Sequence, residues 1–444
     1  MLTAISPLDG RYQNKLHELS PYFSEYGLIK YRLYVEIEYF IHLLDTLPIS
    51  NTLNSTEKEK LRNIVSAFSI SDAEQIKEIE KITNHDVKAV EYFLKQQFET
   101  IQLASLKEYI HFALTSQDIN NTAIPILLRD FTINLMLPKL SDTLNLINER
   151  GIQWKPVAML ARTHGQPATP TTMGKELLVY SERLNKQIIQ LQNFQYSGKF
   201  GGATGNFNAH FAAFPQIDWP AWANQFLENN LGIGRQQYTT QIAHYDEIAE
   251  WCHILIRLNS ILIDFCRDIW TYISLEYFTQ QTKAGEIGSS AMPHKVNPID
   301  FENAEGNLGI STALASHLAE KLPISRLQRD LTDSTVLRNL GVPIAHTYLS
   351  LLSIQTGIHK LVLNNPKIEH ELDQQWIILA EAVQTILRRE AYENPYEALK
   401  DLTRGKTSIT REDLHNFINH LNISEAVKLE LKNLNPQNYI GPKS

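Results

Sequence analysis

Cysteine is scarce: the 444 residues hold two, Cys252 and Cys266. Both fall inside one long helical pattern, where their spacing in sequence sets them about 21 Å apart, far beyond disulfide reach. A reduced, cytoplasmic setting is therefore expected. No apolar run approaches the roughly 18 residues of a membrane span. The opening stretch from Met1 to Gly10 lacks a basic region followed by an apolar core, so no secretory signal is expected either. No Cys/His cluster has zinc spacing, and neither GxxxxGK(S/T) nor GxGxxG occurs, so no metal and no cofactor are expected. Positive charge is also short. With 41 Lys+Arg against 49 Asp+Glu the chain carries −8, which argues against nucleic acid or an anionic membrane as a general partner. A small polyanion held by a few local cations remains compatible.

What is present is apolar and helical. The 43% apolar content supports a sizeable core, and the length calls for two or three domains. Helical periodicity runs from Ser24 to about Leu47, from Val87 to about Phe98, and from Ile119 to Glu149 with Pro125 and Pro138 as starts or kinks. Leu177, Leu178, Leu184, Ile188 and Leu191 form a further stripe. Ile248, Trp251, Leu255, Leu258, Leu262, Phe265 and Ile269 mark a longer one, of about ten turns. Such lengths suggest a long bundle shared between subunits. Helices are also expected from Ile299 to about Leu322 and on to about Leu363, the latter kinked by Gly341 and Pro343. Gly198, Gly201, Gly202 and Gly205 have no phosphate-loop spacing and read as a turn. No strand-rich segment stands out, and the fold class is all-α.

Several boxes interrupt this pattern with polar chemistry. Thr83-Asn84-His85-Asp86 opens a helix, and Asn and Asp are preferred caps; alternatively His85 and the exposed N–H groups there receive an anion. Thr115-Ser116-Gln117-Asp118 repeats the theme. Arg162-Thr163-His164-Gly165-Gln166 sits in a Gly/Pro turn, and Thr239-Thr240-Gln241 stands at a helix entrance. Arg326, Arg329 and Arg338 surround a cap near Ser334, readable as solvated charge or as a phosphate clamp. The longest box is Gly285-Glu286-Ile287-Gly288-Ser289-Ser290-Ala291-Met292-Pro293-His294-Lys295-Val296-Asn297-Pro298. Its glycines permit close approach and lid-like closure, and its prolines stop any helix. A core-building segment has no use for that mixture.

That last box resembles the signature loop of the fumarase/aspartase superfamily, GSSxMPxKxNP. With His294 and the boxes at 83–91 and 162–166, the whole chain resembles the bacterial adenylosuccinate lyases of that superfamily. The resemblance implies three helical domains, placed at 1–110, 111–363 and 364–444, and a homotetramer with shared active sites. It implies release of fumarate from adenylosuccinate, giving AMP, and from the succinocarboxamide ribotide of purine synthesis. On it, Ser289 matches the general base, His164 the general acid, and His85 and Lys295 further catalytic positions. Lys295 and Asn297 match groups that hold the succinyl carboxylates, and Thr115, Ser116, Gln241 and Asn303 further substrate contacts. Arg11, Tyr12, Arg329, Ser334 and Arg338 match nucleotide and phosphate positions, and Asn84 and Asp86 a box aligning substrate. Ala291 replaces a Thr common in the subgroup. The partners implied are small nucleotides. The alternatives are another fumarate-releasing lyase, acting on argininosuccinate or malate, or a non-enzymatic scaffold recruited from the fold.

Overall fold

The computed structural model describes residues 2–49, 52–281, 292, 295–403 and 409–442. Helices dominate; after short helical turns between Gln13 and Phe23 come α1 (Glu25–Thr46), α2 (Ser55–Ser66), α3 (Ile70–Thr83), α4 (Asp86–Thr100), α5 (Ser116–Phe131) and α6 (Leu137–Gln153). A hairpin of β1 (Ala158–Thr163) and β2 (Gln166–Thr172) follows, then α7 (Met173–Gln192) and α8 (Asp246–Ser274). The series continues with α9 (Ile299–Lys321), the short α10 (Thr332–Leu337) and α11 (Gly341–Lys360). Short helices from Asn365 to Lys432 complete it.

Two compact units divide the chain. The first comprises Met1–Leu140, Gln187–Ser260 and Gly306–Leu351; the second comprises Ser141–Lys186, Ile261–Glu305 and Leu352–Ser444.

In the first unit, α1 starts where the Ser24 hydroxyl accepts the Gly27 N–H at 3.1 Å, a side-chain cap that satisfies one orphan donor. Ile29, Leu33, Ile37, Phe40 and Leu44 then recur at helical spacing, all buried. They join a core with Phe93, Phe98, Trp219, Trp222 and Phe226, in which Phe40 meets Phe98 edge-on at 4.8 Å. Truncating one such ring to Ala costs about 3–5 kcal/mol. Farther along the unit, α8, α9 and α11 share a buried polar knot. Asn259 donates to the Ser311 hydroxyl at 2.9 Å and accepts from Thr347 at 2.8 Å. All three are fully buried, so any slip between helices strands a polar group.

The second unit holds the hairpin and its surroundings. Thr163 pairs with Gln166, leaving a two-residue turn of His164 (φ 52°) and Gly165 (φ 74°). Positive φ at both positions matches the twist of the flanking strands. This hairpin corrects the expectation that no strand-rich segment exists, and its threonines and two-residue turn are the reason it forms. The C-terminal helices carry their own core of Leu379, Val383, Leu387, Leu414, Ile418 and Leu431.

Two helix boundaries also differ from expectation. Gly341 and Pro343 begin α11 rather than kink it, since proline fits the first turn, where its missing N–H has no helical partner. The eight-turn α8 ends at Ser274, short of the expected ten turns, because Phe278–Gln280 pairs as a strand with Leu361–Leu363.

Candidate functional site

The first unit contains a cavity of about 430 Å³, within the usual size for a small-molecule site. The N-terminal ends of α4 and α5 and the short helix α10 supply its polar side, and Tyr22, Phe23, Leu127 and Leu340 its apolar wall. Helix N-termini present unpaired N–H groups and positive dipole ends, which favour an anion.

Each polar side chain there has a local reason for its position. Asn84 closes α3 in the left-handed conformation (φ 49°), and His85 itself caps α4. The Lys88 N–H donates to His85 Nδ1 at 3.1 Å. A ring nitrogen that accepts carries no proton, so the neutral imidazole bears its hydrogen on Nε2. That N–H points at the Ser116 hydroxyl, 3.4 Å away. Of the two sequence readings of this box, the structure shows the capping one, with His85 itself as the cap.

Asp86 takes the Val87 N–H on Oδ1 at 2.9 Å and the Arg32 guanidinium on Oδ2 at 2.7 Å. Burial favours its neutral form, but Arg32, the Val87 amide and Arg338 outweigh burial and hold its pKa below the usual carboxylate range. Arg32 is nearly fully buried and also donates to Asn120 at 2.8 Å. Arg338, half exposed, lies 3.4 Å from the same Asp86 oxygen. Arg338 also stands 3.6 Å from Glu25 Oε2, so its two terminal nitrogens face two carboxylates.

Arg329 donates to the Ser334 hydroxyl at 2.8 Å and reaches Gln241 Oε1 at 3.5 Å. Its Nε stands 3.4 Å from the buried Asp333, which also accepts from Tyr245 at 2.9 Å. With its amide turned so that the oxygen faces the guanidinium, Gln117 accepts from Arg329 at 2.7 Å. Such contacts on all three guanidinium nitrogens hold the group in one plane.

The first unit thus brings together Asn84, His85, Asp86, Ser116, Gln241, Arg329, Ser334 and Arg338. Thr115 caps α5, its N–H donating to Asp118 at 2.8 Å. Arg11 and Tyr12 do not line the cavity; the Arg11 guanidinium lies 6.0 Å from the Tyr12 ring centre.

In the second unit, His164 sits exposed at the hairpin tip, where Arg162 pairs with Glu371. Lys295 is exposed, its backbone N–H bonded to the Met292 carbonyl at 3.0 Å, and Asn297 is half-buried. Asn303, on α9, accepts from Ser353 at 3.0 Å. Ser289, with Gly285, Gly288, Ser290, Ala291 and His294, lies outside the described residues. Among the described residues no group of three His, Cys, Asp or Glu side chains is placed to hold a metal, and no helix is long and apolar enough to cross a membrane.

Sequence reading missed Arg32 and Asn120, and it placed Gln117 in a polar box without giving it a role. Arg32 lies inside an amphipathic helix, where a polar residue at one position carries no signal that its charge is buried.

Comparison with known proteins gives a consistent picture. A family model described as Lyase matches residues 10–310, and one described as Adenylosuccinate lyase C-terminal matches 325–440. The chain is 56% identical to an adenylosuccinate lyase of Dictyostelium discoideum, over 99% of this chain and 97% of that protein. It is 49% identical to the adenylosuccinate lyase of Escherichia coli, with the same coverage of both. Among solved structures, a 3-carboxy-cis,cis-muconate lactonizing enzyme from Pseudomonas putida superposes with TM-score 0.76 at 20% identity, covering 97% of this chain and 94% of that one. A fumarate lyase from Mesorhizobium gives 0.75 at 19%, covering 97% and 95%. These two share the fold.

Proposed function

The chain belongs to the adenylosuccinate lyase family, and from that premise we propose how its residues divide the work. It is a C–N lyase that eliminates fumarate from adenylosuccinate, leaving AMP. We infer that it also takes the succinocarboxamide ribotide of purine synthesis, whose succinyl group and phosphate are alike.

In the elimination a proton leaves the carbon beside a carboxylate, and the C–H electron pair becomes the double bond. The C–N pair stays with nitrogen, which a proton then neutralises. The carbon acid is weak, and its ionisation builds charge on the adjacent carboxylate. Donors fixed there supply most of the catalysis; Lys295 and Asn297 are proposed for that role. Ser289 is proposed as the base and His164 as the acid, a histidine being suited to give a proton near neutral pH. His85, as the Nε2–H tautomer beside Ser116, is proposed to orient the substrate together with Asn84, Thr115, Gln241 and Asn303.

The observation that carries the choice among lyases is the pair of arginines at one side of the cavity. Arg329 and Arg338 flank Ser334 beside two helix N-termini, a setting for a phosphate. Neither argininosuccinate nor malate carries one. Arg11 and Tyr12 are proposed as further nucleotide contacts, made in a homotetramer whose sites draw on several chains. Exposed apolar side chains on the long helices, Val179, Ile189, Trp270 and Ile310, support such an assembly. The separate C-terminal core supports a domain at 364–444, and 1–110 and 111–363 are proposed as the other two. Two buried free cysteines suit a cytoplasmic setting.

Fumarate absorbance decides the matter, with adenylosuccinate and argininosuccinate offered side by side. Release from adenylosuccinate alone is expected. Release from argininosuccinate instead would overturn the reading.

A further inference from the structure

The glycine-rich stretch 198–205, a plain turn by its sequence, touches two of the substrate boxes. Asp118 is wholly buried. Its Oδ2 accepts the Thr115 N–H at 2.8 Å. Its Oδ1 accepts Lys199 Nζ at 2.7 Å and the N–H groups of Gly201 at 2.9 Å and Gly202 at 3.1 Å. Four donors on one carboxylate, with Lys199 equally buried, leave the start of α5 no freedom relative to the loop. At the far end of the stretch, Gly205 has φ +78° and lies flat against Thr239. A Cβ there would press on the Thr239 carbonyl oxygen and stand 2.8 Å from its hydroxyl. Thr239 leads directly to Gln241, which receives Arg329.

We propose that residues 198–205 act as a positioning brace for the reaction. The Lys199–Asp118 end fixes Thr115–Ser116, and the Gly205 end fixes Thr239–Gln241, so that both boxes stand at one spacing around the substrate. The inference rests on the lyase reading and assigns the brace to that same site. None of the brace residues touches the substrate; each acts through Ser116 or Gln241.

Double-mutant cycles test it, because a residue that acts through another loses its effect once the other is gone. Gly205→Ala is expected to lower kcat/KM on adenylosuccinate by about 10- to 100-fold, the order of effect of a ~1 Å misplacement. In a Gln241→Ala background the same change is expected to cost less than about threefold. Equal losses in both backgrounds overturn the brace. Should Gly205→Ala fail to fold, Lys199→Gln carries the test: its loss must vanish in a Ser116→Ala background, and persistence overturns the proposal. Hydrogen exchange reads the brace without any activity. In Lys199→Gln the amides of Thr115, Gly201 and Gly202 must exchange faster than those of the C-terminal helices, and unchanged rates there count against it. Wild-type protein that releases no fumarate refutes the lyase reading alone, and the exchange experiment still decides the brace.

Discussion

Replacing Arg32 by Met removes the guanidinium that neutralises Asp86 while keeping an apolar stem of similar length. Breaking a buried ion pair from one side costs about 3–5 kcal/mol, because the other charge stays behind unpaired. Here Asp86 retains 23% exposure and has Arg338 at 3.4 Å, so the low end, about 3 kcal/mol, is expected. Urea unfolding at pH 7 and fixed protein concentration measures it. The pH dependence gives the reasoning its edge. In the wild type the folded-state pKa of Asp86 is depressed, so its ionised form contributes stability above the unfolded value, ~3.9. That contribution is lost only as pH falls through the lower folded value. Without Arg32 the carboxyl moves upward from its wild-type value, because burial then opposes only the Val87 amide and Arg338. The deficit of Arg32→Met is therefore full at pH 7 and shrinks toward pH 4.5, where the variant's Asp86 takes up a proton. Adding Asp86→Asn should recover at least half of it at pH 7. A deficit that stays constant from pH 7 to 4.5, or that Asp86→Asn leaves untouched, would show that Arg32 stabilises by packing alone.

Four further outcomes follow from the proposed roles. Ser289→Ala should lower turnover by several orders of magnitude while substrate still binds; if Ser290→Ala is the crippled variant instead, the base is misassigned. His164→Gln should lose ~10² to 10⁴ in rate with an unchanged circular dichroism spectrum, and near-normal activity would remove His164 from the mechanism. Arg338→Ala should weaken AMP binding by calorimetry by about 1.5 kcal/mol, the low end for a bond to a charged group at a half-exposed site. An equal loss for adenosine would make the arginine structural. Finally, mixing inactive His85→Ala and Ser289→Ala proteins under subunit exchange should restore some activity, whereas mixed tetramers that stay dead would place both residues on one chain.

The sequence made the polar boxes legible because their composition contradicts their surroundings. Asn84-His85-Asp86 stood out as a helix opening, though which residue caps it did not: Asn84 ends the previous helix and His85 takes the cap. The long helices were legible through burial periodicity, as the Ile248–Ile269 stripe shows. Buried charge was not. Arg32, Asp118 and Lys199 look like ordinary polar residues in helix or loop, and only tertiary partners 54 and 81 residues away in the chain reveal them. The hairpin at His164 was missed for a related reason. Its strands are short and the second is interrupted by Pro167 and Pro170, so alternation is too brief to register.

The two cysteines open a practical route to watching this protein at work. Both thiols are buried on α8; burial pushes Cys252 up to about 12 and Cys266 upward as well. At neutral pH almost no thiolate exists to react with a maleimide or a methanethiosulfonate. The natural chain is therefore already a silent background for site-directed labelling. A single cysteine in place of Met292, an exposed residue within the signature stretch, would be the one thiol a fluorophore or spin label attacks. Its signal would report how that stretch responds as succinyl nucleotide binds and fumarate leaves, with neither native cysteine removed first.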